Sequence, residues 1–265
     1  MTDMDAVERT DQVPFLGGGK QELTPKEAID AKRFELGFCE HHGWFAAGIK
    51  SPGGSRWFPG CPRCLAEARI KKLFGQSMIP RRFESKRFSN YEVSGERQRQ
   101  ALESSRTFVR ELKENWFSGR TLVLIGTPGT GKTHLACAVG HEAIKQGRTV
   151  LYTTVTRLLE DIKSSWNDKD RSVKNVIARY VSVDLLILDE IGAFRGISER
   201  EKDYLFEVIN ARYEQMKPMI AVSNLRLSGA DSIEAYLEER SFDRLCEQAR
   251  LVVFDWESYR RKSLC

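Results

Sequence analysis

The chain has 265 residues, of which 41% are hydrophobic and 30% charged, and its formal net charge is +5. This composition provides enough apolar side chains for a core and excludes collagen-like, mucin-like and wholly disordered chains. The amino terminus is acidic, and the longest apolar stretches, such as 122–125 and 185–188, have the length of a strand. We therefore expect a cytoplasmic protein without a signal peptide or a membrane span.

The surplus of positive charge lies in one segment. Between Arg69 and Arg99 there are nine basic and three acidic residues. The aromatic residues interleaved with them are Phe74, Phe83, Phe88 and Tyr91. Because basic side chains neutralise phosphates and aromatic rings stack on unpaired bases, this segment is a candidate contact for nucleic acid. The alternative is a solvated linker with some packed aromatic residues.

Two pairs of metal-ligating residues lie in the first quarter of the chain. Cys39-x2-His42 is followed, after eighteen residues, by Cys61-x2-Cys64. Two ligands at this spacing sit on one tight turn and reach the same ion, and zinc takes four such ligands. We predict a structural zinc site formed by Cys39, His42, Cys61 and Cys64, with His41 as the alternative to His42. A cytoplasmic location disfavours disulfides, and four protein ligands leave no position for a catalytic water.

A phosphate-binding loop follows a short apolar strand at 121–125. The pattern G-x-x-x-x-G-K-[ST] is matched by eight consecutive residues, Gly126, Thr127, Pro128, Gly129, Thr130, Gly131, Lys132 and Thr133. Glycines allow the backbone amides of this loop to point at a phosphate, beside the positive end of a helix that we expect to reach Lys145. Lys132 then contacts the β- and γ-phosphates of ATP, and the Thr133 hydroxyl ligates Mg²⁺.

Acidic and amide side chains follow two further apolar strands. We expect a strand over 183–188, and the acids Asp189 and Glu190 come directly after it. Asp189 is the candidate to hold Mg²⁺, and Glu190 is the candidate base that polarises the attacking water, which points to hydrolysis of the nucleotide. Asn224 follows the apolar stretch 219–223 and is placed to orient that water.

The remaining elements complete an α/β architecture. Apolar stretches at 150–154 and 250–254 bring the number of strands to five, and they alternate with helices. One helix is expected from Ser198 to Gln215, with Ser198 and Glu201 forming a capping box. The sequence therefore predicts a three-layer α/β sandwich with a five-stranded parallel sheet, preceded by a small zinc-binding domain.

Together these motifs resemble those of AAA+ ATPases, and more narrowly those of the DnaC-type helicase loaders. The resemblance covers roughly residues 78–262 and includes the P-loop. Its other motifs are 79–83 with 88–91, 184–192, Ser223-Asn224, 239–244 and 254–260. The zinc-binding head resembles that of the phage- or prophage-borne branch of these loaders.

The resemblance implies roles for several residues. Asn224 corresponds to the sensor-1 residue, and Arg244 to an arginine finger that acts on the ATP of a neighbouring subunit. Arg240 and Arg212 are the alternatives for this role. Residues 156–180 correspond to a helical insertion that lines a single-strand channel. The carboxyl-terminal helical lid of many AAA+ proteins is not expected here.

The sequence thus predicts four segments. These are a flexible tail at 1–25, a zinc-binding, partner-binding domain at 26–75, a basic linker at 76–100 and an AAA+ ATPase domain at 101–265. The expected function is that of an ATP-dependent loader that places a DnaB-type replicative helicase on single-stranded DNA and self-associates through its ATP sites. Its cofactors would be ATP, Mg²⁺ and Zn²⁺. The alternatives are an IstB-like transposition helper ATPase and a DNA-binding adaptor that uses ATP as a switch.

Overall fold

The structure is a computed structural model, and it describes residues 34–51, 54–167, 172–194 and 196–260. The tail expected at 1–25 lies outside the described residues. The chain divides into two compact units, Met1–Lys71 and Lys72–Cys265, which we describe separately.

The first unit contains a three-stranded antiparallel sheet in the order β1-β2-β3, followed by a helix. Its elements are β1 (Phe34–Cys39), β2 (Gly43–Ser51), β3 (Gly54–Trp57) and α1 (Pro62–Gln76), and α1 continues into the second unit. Cys39 pairs with Gly43 across the hairpin, and the positive φ of Gly43, 78°, allows the tight turn between them. The turn places Cys39 and His42 at one end of the sheet.

The second unit is built on a parallel sheet of five strands in the order β5-β6-β7-β4-β8. The strands are β4 (Thr121–Gly126), β5 (Val150–Thr154), β6 (Leu185–Ile191), β7 (Met219–Ser223) and β8 (Ala249–Phe254). Strands β4, β6 and β7 are central and mostly buried on both faces, which is why they read as continuous apolar stretches. The predicted five-stranded parallel sheet is confirmed.

Helices connect these strands. They are α2 (Glu96–Glu114), α3 (Lys132–Lys145), α4 (Val155–Ser164), α5 (Val173–Ser182), α6 (Glu199–Glu214), α7 (Ile233–Leu237) and α8 (Glu239–Cys246). Helix α3 ends at Lys145 as predicted, and the capping box of Ser198 and Glu201 at the start of α6 is present. No helix of the described residues is long and apolar enough to cross a membrane. The described residues after β8, 255–260, contain no helical lid.

Strand β6 differs from its predicted bounds at both ends. It begins at Leu185 because the Asp184 carboxylate is held by the backbone amide and the hydroxyl of Thr149, both at 2.8 Å, before the ladder starts. It continues through Asp189 and Glu190 to Ile191, so the acidic pair lies within the strand and not after it.

The prediction of a basic linker at 76–100 is wrong, because this segment packs on the second unit. The Ser77 carbonyl accepts a hydrogen bond from the backbone amide of Tyr152 at 2.7 Å, and Ser77 is fully buried. The Phe83 carbonyl accepts one from His141 Nε2 at 3.1 Å. The segment is therefore part of the second unit.

The aromatic residues of the basic segment are also engaged within the protein. Phe74 stacks on His141 with ring centroids 5.3 Å apart, and Tyr91 meets His134 edge to face at 5.2 Å. Phe88 lies beneath the guanidinium of Arg106. These rings pack against side chains of the second unit and are not presented as a platform for stacking bases.

Candidate nucleotide and zinc sites

A cleft of about 800 Å³ lies at the carboxyl ends of the parallel strands, where the P-loop connects β4 to α3. The sequence-predicted residues that line it are Pro128, Gly129, Thr130, Gly131, Lys132, Thr133, Asp189, Glu190 and Asn224. Gly126 and Thr127 complete the loop beside it. A Cβ at Gly126 would lie 2.1 Å from the Phe254 carbonyl oxygen, so only glycine fits there. The structure thus brings the predicted nucleotide-site residues of this unit together, with the exception of the arginine finger.

Lys132 is buried at the start of α3, with 5% of its surface exposed. Its Nζ donates to the carbonyl oxygens of Gly126 at 2.8 Å and Thr127 at 2.6 Å. Burial lowers the pKa of this ammonium to about 8, and the nearby Asp189 carboxylate opposes the shift. A phosphate would restore a negative partner to this cation and favour its charged form.

The oxygen atoms suited to Mg²⁺ lie in direct contact. Thr133 Oγ1 donates to Asp189 Oδ2 at 2.9 Å, and Asp189 is 3% exposed. The Tyr152 hydroxyl donates to the same oxygen at 2.8 Å, while Asp189 Oδ1 accepts from the backbone amide of Glu190 at 2.7 Å. A hydroxyl beside a well-held carboxylate matches the hard oxygen ligands that Mg²⁺ takes beside phosphates. Tyr152 was missed at the sequence level, although it lies on the strand adjacent to Asp189.

Glu190 is turned toward the cleft by an irregularity in the sheet. Leu188 pairs with Ala221 and Ile191 with Ser223, so β6 has one extra residue against β7 at this point. Glu190 also has a positive φ of 58°, which non-glycine residues seldom adopt. Bulges of this kind redirect side chains at functional sites. Glu190 is exposed in the cleft whereas Asp189 is buried, which fits a base beside a metal ligand.

Asn224 lines the same cleft at the end of β7. The preceding Ser223 fixes this corner, because its hydroxyl donates to the Ile191 carbonyl at 2.7 Å and accepts from the Leu225 amide at 3.0 Å. Asn224 itself is exposed, and its amide is therefore accessible to a water in the cleft.

The segment 254–260, which begins at the last residue of β8, packs against the P-loop, and we call it the closing segment. The Thr127 amide donates to the Phe254 carbonyl, and Trp256 Nε1 donates to the Thr130 carbonyl at 3.1 Å. The Tyr259 amide donates to the Gly129 carbonyl at 2.9 Å. A Cβ at Gly129 would lie 2.0 Å from the Ser258 hydroxyl. The backbone of the P-loop is thus held by hydrogen bonds to the closing segment, which the sequence pattern alone does not indicate.

The segment 79–91, which we call the lead-in segment, lines the other side of the cleft. Arg82, Phe83, Asn90 and Tyr91 all lie at its wall, and the Tyr91 hydroxyl donates to the Thr130 carbonyl at 3.4 Å. Part of the surplus positive charge therefore lies beside the nucleotide cleft.

The two arginines of α8 lie away from this cleft, around a separate depression lined by Tyr213, Asp243 and Glu247 among others. Arg244 is half-buried and its Nη1 donates to Asn210 Oδ1 at 2.6 Å. Arg240 is exposed and forms an ion pair with Asp203 at 2.9 Å.

Arg212, the second of the two alternatives to Arg244 for the arginine finger, lies in the core of the second unit. It is fully buried, and its guanidinium donates to five backbone carbonyl oxygens. The acceptors are Tyr180, Val181, Val183, Asp184 and Pro218, at 2.7–3.2 Å. A side chain in this position stabilises the fold and does not reach a neighbouring subunit.

In the first unit, the hairpin turn and the start of α1 bring the predicted zinc ligands together. Their donor atoms all lie within 4.8 Å of one another. Cys39 Sγ and Cys64 Sγ are 3.6 Å apart, and His42 Nδ1 lies 3.3–3.8 Å from the three sulfur atoms of Cys39, Cys61 and Cys64. Zn–S bonds of about 2.3 Å and Zn–N bonds of about 2.0 Å give tetrahedral edges of roughly 3.5–3.8 Å, and the donor atoms lie within a few tenths of an ångström of these separations, so the donor set fits zinc.

The orientation of His42 supports it as the fourth ligand over His41. While Nδ1 faces the sulfur atoms, Nε2 lies 3.1 Å from Glu67 Oε1. Metal-bound histidines usually donate their other ring nitrogen to such a carboxylate. The backbone amide of His41, with a further contribution from His42, lowers the pKa of the Cys39 thiol to about 6, which favours the thiolate that binds metal.

Comparison with known proteins extends these findings. A family model described as IstB-like ATP binding protein matches residues 69–264. The uncharacterized protein YdaV of Escherichia coli (strain K12) is 34% identical over 196 residues, 73% of this chain and 75% of that protein. The replicative helicase loader DnaC of Escherichia coli (strain K12) is 31% identical over 195 residues, 73% of this chain and 77% of that protein.

Solved structures of replication proteins are also similar to this chain. The DnaC helicase loader has a TM-score of 0.59 at 25% identity, with 66% of this chain and 99% of that chain covered. AMPPCP-bound DnaA from Aquifex aeolicus has a TM-score of 0.54 at 30% identity, with 68% of this chain and 54% of that chain covered. The resemblance to AAA+ ATPases of the DnaC type is confirmed, and the chain belongs to the family of IstB-like ATP binding proteins.

Proposed function

We propose that this protein is an ATP-dependent loader that binds a DnaB-type replicative helicase and places it on single-stranded DNA at the initiation of replication. The observation that carries the proposal is the contact between Thr133 and Asp189 beside Lys132 and Glu190, in a chain similar to replicative helicase loaders over 73% of its length. A phosphate site, metal ligands and a base in one cleft are the parts that nucleotide hydrolysis requires.

In this proposal the chain's own residues prepare ATP for attack by water. Lys132 would exchange its two loop carbonyls for the β- and γ-phosphates. Thr133 and Asp189 would hold Mg²⁺, and the ion would supply positive charge to the phosphate oxygens. Glu190 accepts a proton from the water that Asn224 orients. The water oxygen bonds to the γ-phosphorus as the bond to the β,γ-bridging oxygen breaks, which releases ADP and phosphate.

Self-association through the ATP sites would complete each site with a residue from another subunit. We propose Arg244 for this role, since it lies on the surface around a depression outside its own cleft. Arginine suits it because a permanently charged planar group stabilises phosphate charge in trans. DNA stimulation of turnover and binding of single-stranded DNA through the helical region 156–180 belong to the same proposal.

We propose that the zinc-binding unit recognises the helicase. Cys39, His42, Cys61 and Cys64 fill all four positions of a tetrahedral ion, so zinc would hold this unit in shape.

Co-purification tests the proposal. The full chain is mixed with the replicative helicase of the same cell, with ATP, ADP or no nucleotide. Glu190→Gln, which keeps the phosphate contacts, should bind ATP, lose turnover by at least about 100-fold and retain the helicase complex. Absence of any complex with ATP would contradict the loader function.

A second candidate function is an IstB-like helper ATPase of transposition, and the description of the matching family model favours it. It predicts an ATP-dependent complex with a transposase and none with the helicase. A DNA-binding adaptor that uses ATP as a switch would instead behave identically with Glu190 or Gln at this position.

A further inference from the structure

Helix α6 presents one face to the two arginines of α8. The Phe206 ring lies beneath both guanidinium groups, at 4.4 Å from Arg240 and 5.1 Å from Arg244. Tyr213, two turns further along α6, lies 5.5 Å from Arg244. Arg244 is therefore in contact with two aromatic rings, and such contacts stabilise a cation without neutralising it.

The two arginines differ in the charge of their hydrogen-bond acceptor. Arg240 is bound by the carboxylate of Asp203, whereas Arg244 is bound by the neutral amide of Asn210. Within the described part of the chain, no carboxylate lies within ion-pair distance of Arg244. The charge of Arg240 is thus partly cancelled by a neighbouring carboxylate, whereas the hydrogen-bond acceptor of Arg244 carries no charge.

The amide of Asn210 is itself held in one orientation. Its Nδ2 donates to Glu214 Oε1 at 3.0 Å, which leaves Oδ1 to accept from Arg244 Nη1. The Nε of Arg244 is buried and has no hydrogen-bond partner. Among the described residues, Asn210 is therefore the group that fixes the guanidinium within its pair of rings.

We propose that Asn210 is a positioning residue that holds Arg244 with a neutral acceptor, so that the arginine charge stays available to the ATP of a neighbouring subunit. The inference rests on the trans role proposed above for Arg244. A carboxylate in the same place would form a shorter, charge-assisted bond and would offset the charge that the phosphates need. This contrast also favours Arg244 over Arg240 as the trans arginine.

The proposal separates charge from packing, and Asn210→Asp is the variant that tests it. Aspartate has nearly the size of asparagine and still accepts from Arg244, so the packing of α6 on α8 should be retained. A purely structural role for Asn210 predicts an unchanged turnover, whereas the positioning role predicts a loss. Asp203→Asn is the matched control, because it alters the acceptor of Arg240 on the same helix face.

Mixing two variants measures ATP turnover when only one kind of subunit, the donor subunit, can supply Arg244 to its neighbour. Arg244→Ala chains have an intact cleft but no arginine to donate, and Glu190→Gln chains donate Arg244 but do not hydrolyse ATP. A mixture of the two should recover ATP turnover. Adding Asn210→Asp to the Glu190→Gln donor should reduce this recovery by about ten-fold, a part of the 10³–10⁵-fold effect of arginine fingers. Adding Asp203→Asn to the donor should leave it unchanged.

The outcomes distinguish the two levels of the proposal. If the Glu190→Gln donor gives no recovery although the subunits co-assemble with an ATP analogue, Arg244 does not act in trans. If the Asn210→Asp donor recovers as much turnover as its parent, Arg244 acts in trans but Asn210 has no positioning role. An equal loss with Asp203→Asn also overturns the inference, and thermal unfolding of each donor checks that it is folded.

Discussion

The metal-linked carboxylate of the nucleotide cleft has a tyrosine partner that fixes its orientation. Tyr152 donates to the same oxygen of Asp189 that accepts from Thr133. Burial and this carboxylate raise the pKa of the Tyr152 hydroxyl, so it remains a donor. Asp189 is thus held in one orientation, as our proposal that it binds Mg²⁺ requires.

Tyr152→Phe should weaken the use of Mg²⁺ more than the binding of ATP. Removing the hydroxyl takes away one of the groups that orient Asp189 but leaves the P-loop intact, so we expect the Mg²⁺ concentration for half-maximal turnover to rise about ten-fold. Titration of ATPase activity with Mg²⁺ measures this shift, and binding of a fluorescent ATP analogue without Mg²⁺ is the control. An unchanged Mg²⁺ requirement would argue against a role for this hydrogen bond.

Arg212→Leu should destabilise the fold strongly. The substitution removes five hydrogen bonds to backbone carbonyl oxygens, three of them buried, and we expect a loss of about 3–5 kcal/mol in the free energy of unfolding. Arg244→Leu, at a half-buried site, is the control and should cost much less. Urea denaturation followed by circular dichroism measures both. Equal, small losses would contradict the structural role of Arg212.

Short-range spacing explains which site residues the sequence could predict. Cys39 and His42, or Lys132 and Thr133, lie within one turn, so local geometry determines that they act together. The contacts of Tyr152 with Asp189 and of Asn210 with Arg244 depend on how separate strands and helices align. No local sequence pattern predicts that alignment, so these two hydrogen bonds could be identified only in the folded structure.

The lead-in segment and helix α3 are joined through a buried histidine. His141 donates to the Phe83 carbonyl and is 3% exposed. Burial lowers its pKa to about 4, with Arg87 and Lys145 adding to the shift and Glu142 opposing it. The neutral form is therefore the one that holds this junction.

The junction should weaken in acid. The unfolded chain binds a proton on this histidine below its ordinary pKa of about 6.5, whereas the folded chain does so only near 4. Stability from this residue is therefore present above pH 6.5, falls by about 3 kcal/mol as the pH drops from 6.5 to 4, and changes little below that. His141→Gln, which keeps a donor for the carbonyl, should flatten the pH dependence of the unfolding free energy in this window. An identical slope in both proteins would contradict the assignment.

The segment 76–100 shows that a surplus of charged residues does not by itself identify a linker. Its composition is that of a linker, but buried Ser77 and Ile79 and the carbonyl contacts of Phe83 attach it to the ATPase unit. The five strands were predicted because a buried parallel sheet imposes continuous apolar stretches. Helix α3 was predicted because it follows the P-loop motif. A segment held mainly through backbone carbonyls leaves no such pattern.

At the scale of the molecule, the zinc-binding and ATPase units should respond separately to loss of metal. Cys64→Ser removes one of four ligands, so we expect the full chain to lose its zinc and the folded structure of the first unit, while ATP binding is retained. Metal analysis and a fluorescent ATP analogue measure the two effects. Cys246→Ser, in α8, is the control and should keep stoichiometric zinc. Retention of zinc by Cys64→Ser would contradict the ligand set.

The combination of units accounts for the proposed task. The second unit lies within the region matched by the family model, 69–264, apart from its last residue, and the four predicted zinc ligands precede that region. This division is consistent with our proposal that the second unit assembles on nucleotide and the first recognises the helicase. Cys64→Ser should accordingly reduce complex formation with the helicase more than ATP turnover.

The most direct test of the loader function is transfer of the helicase to circular single-stranded DNA, which has no end for threading. The replicative helicase of the same cell is incubated with the circle, ATP and this protein, and helicase bound to DNA is measured after gel filtration. We predict transfer that depends on this protein and on ATP and that is lost with Lys132→Ala. Equal amounts of helicase on the circle with and without the protein would contradict the account.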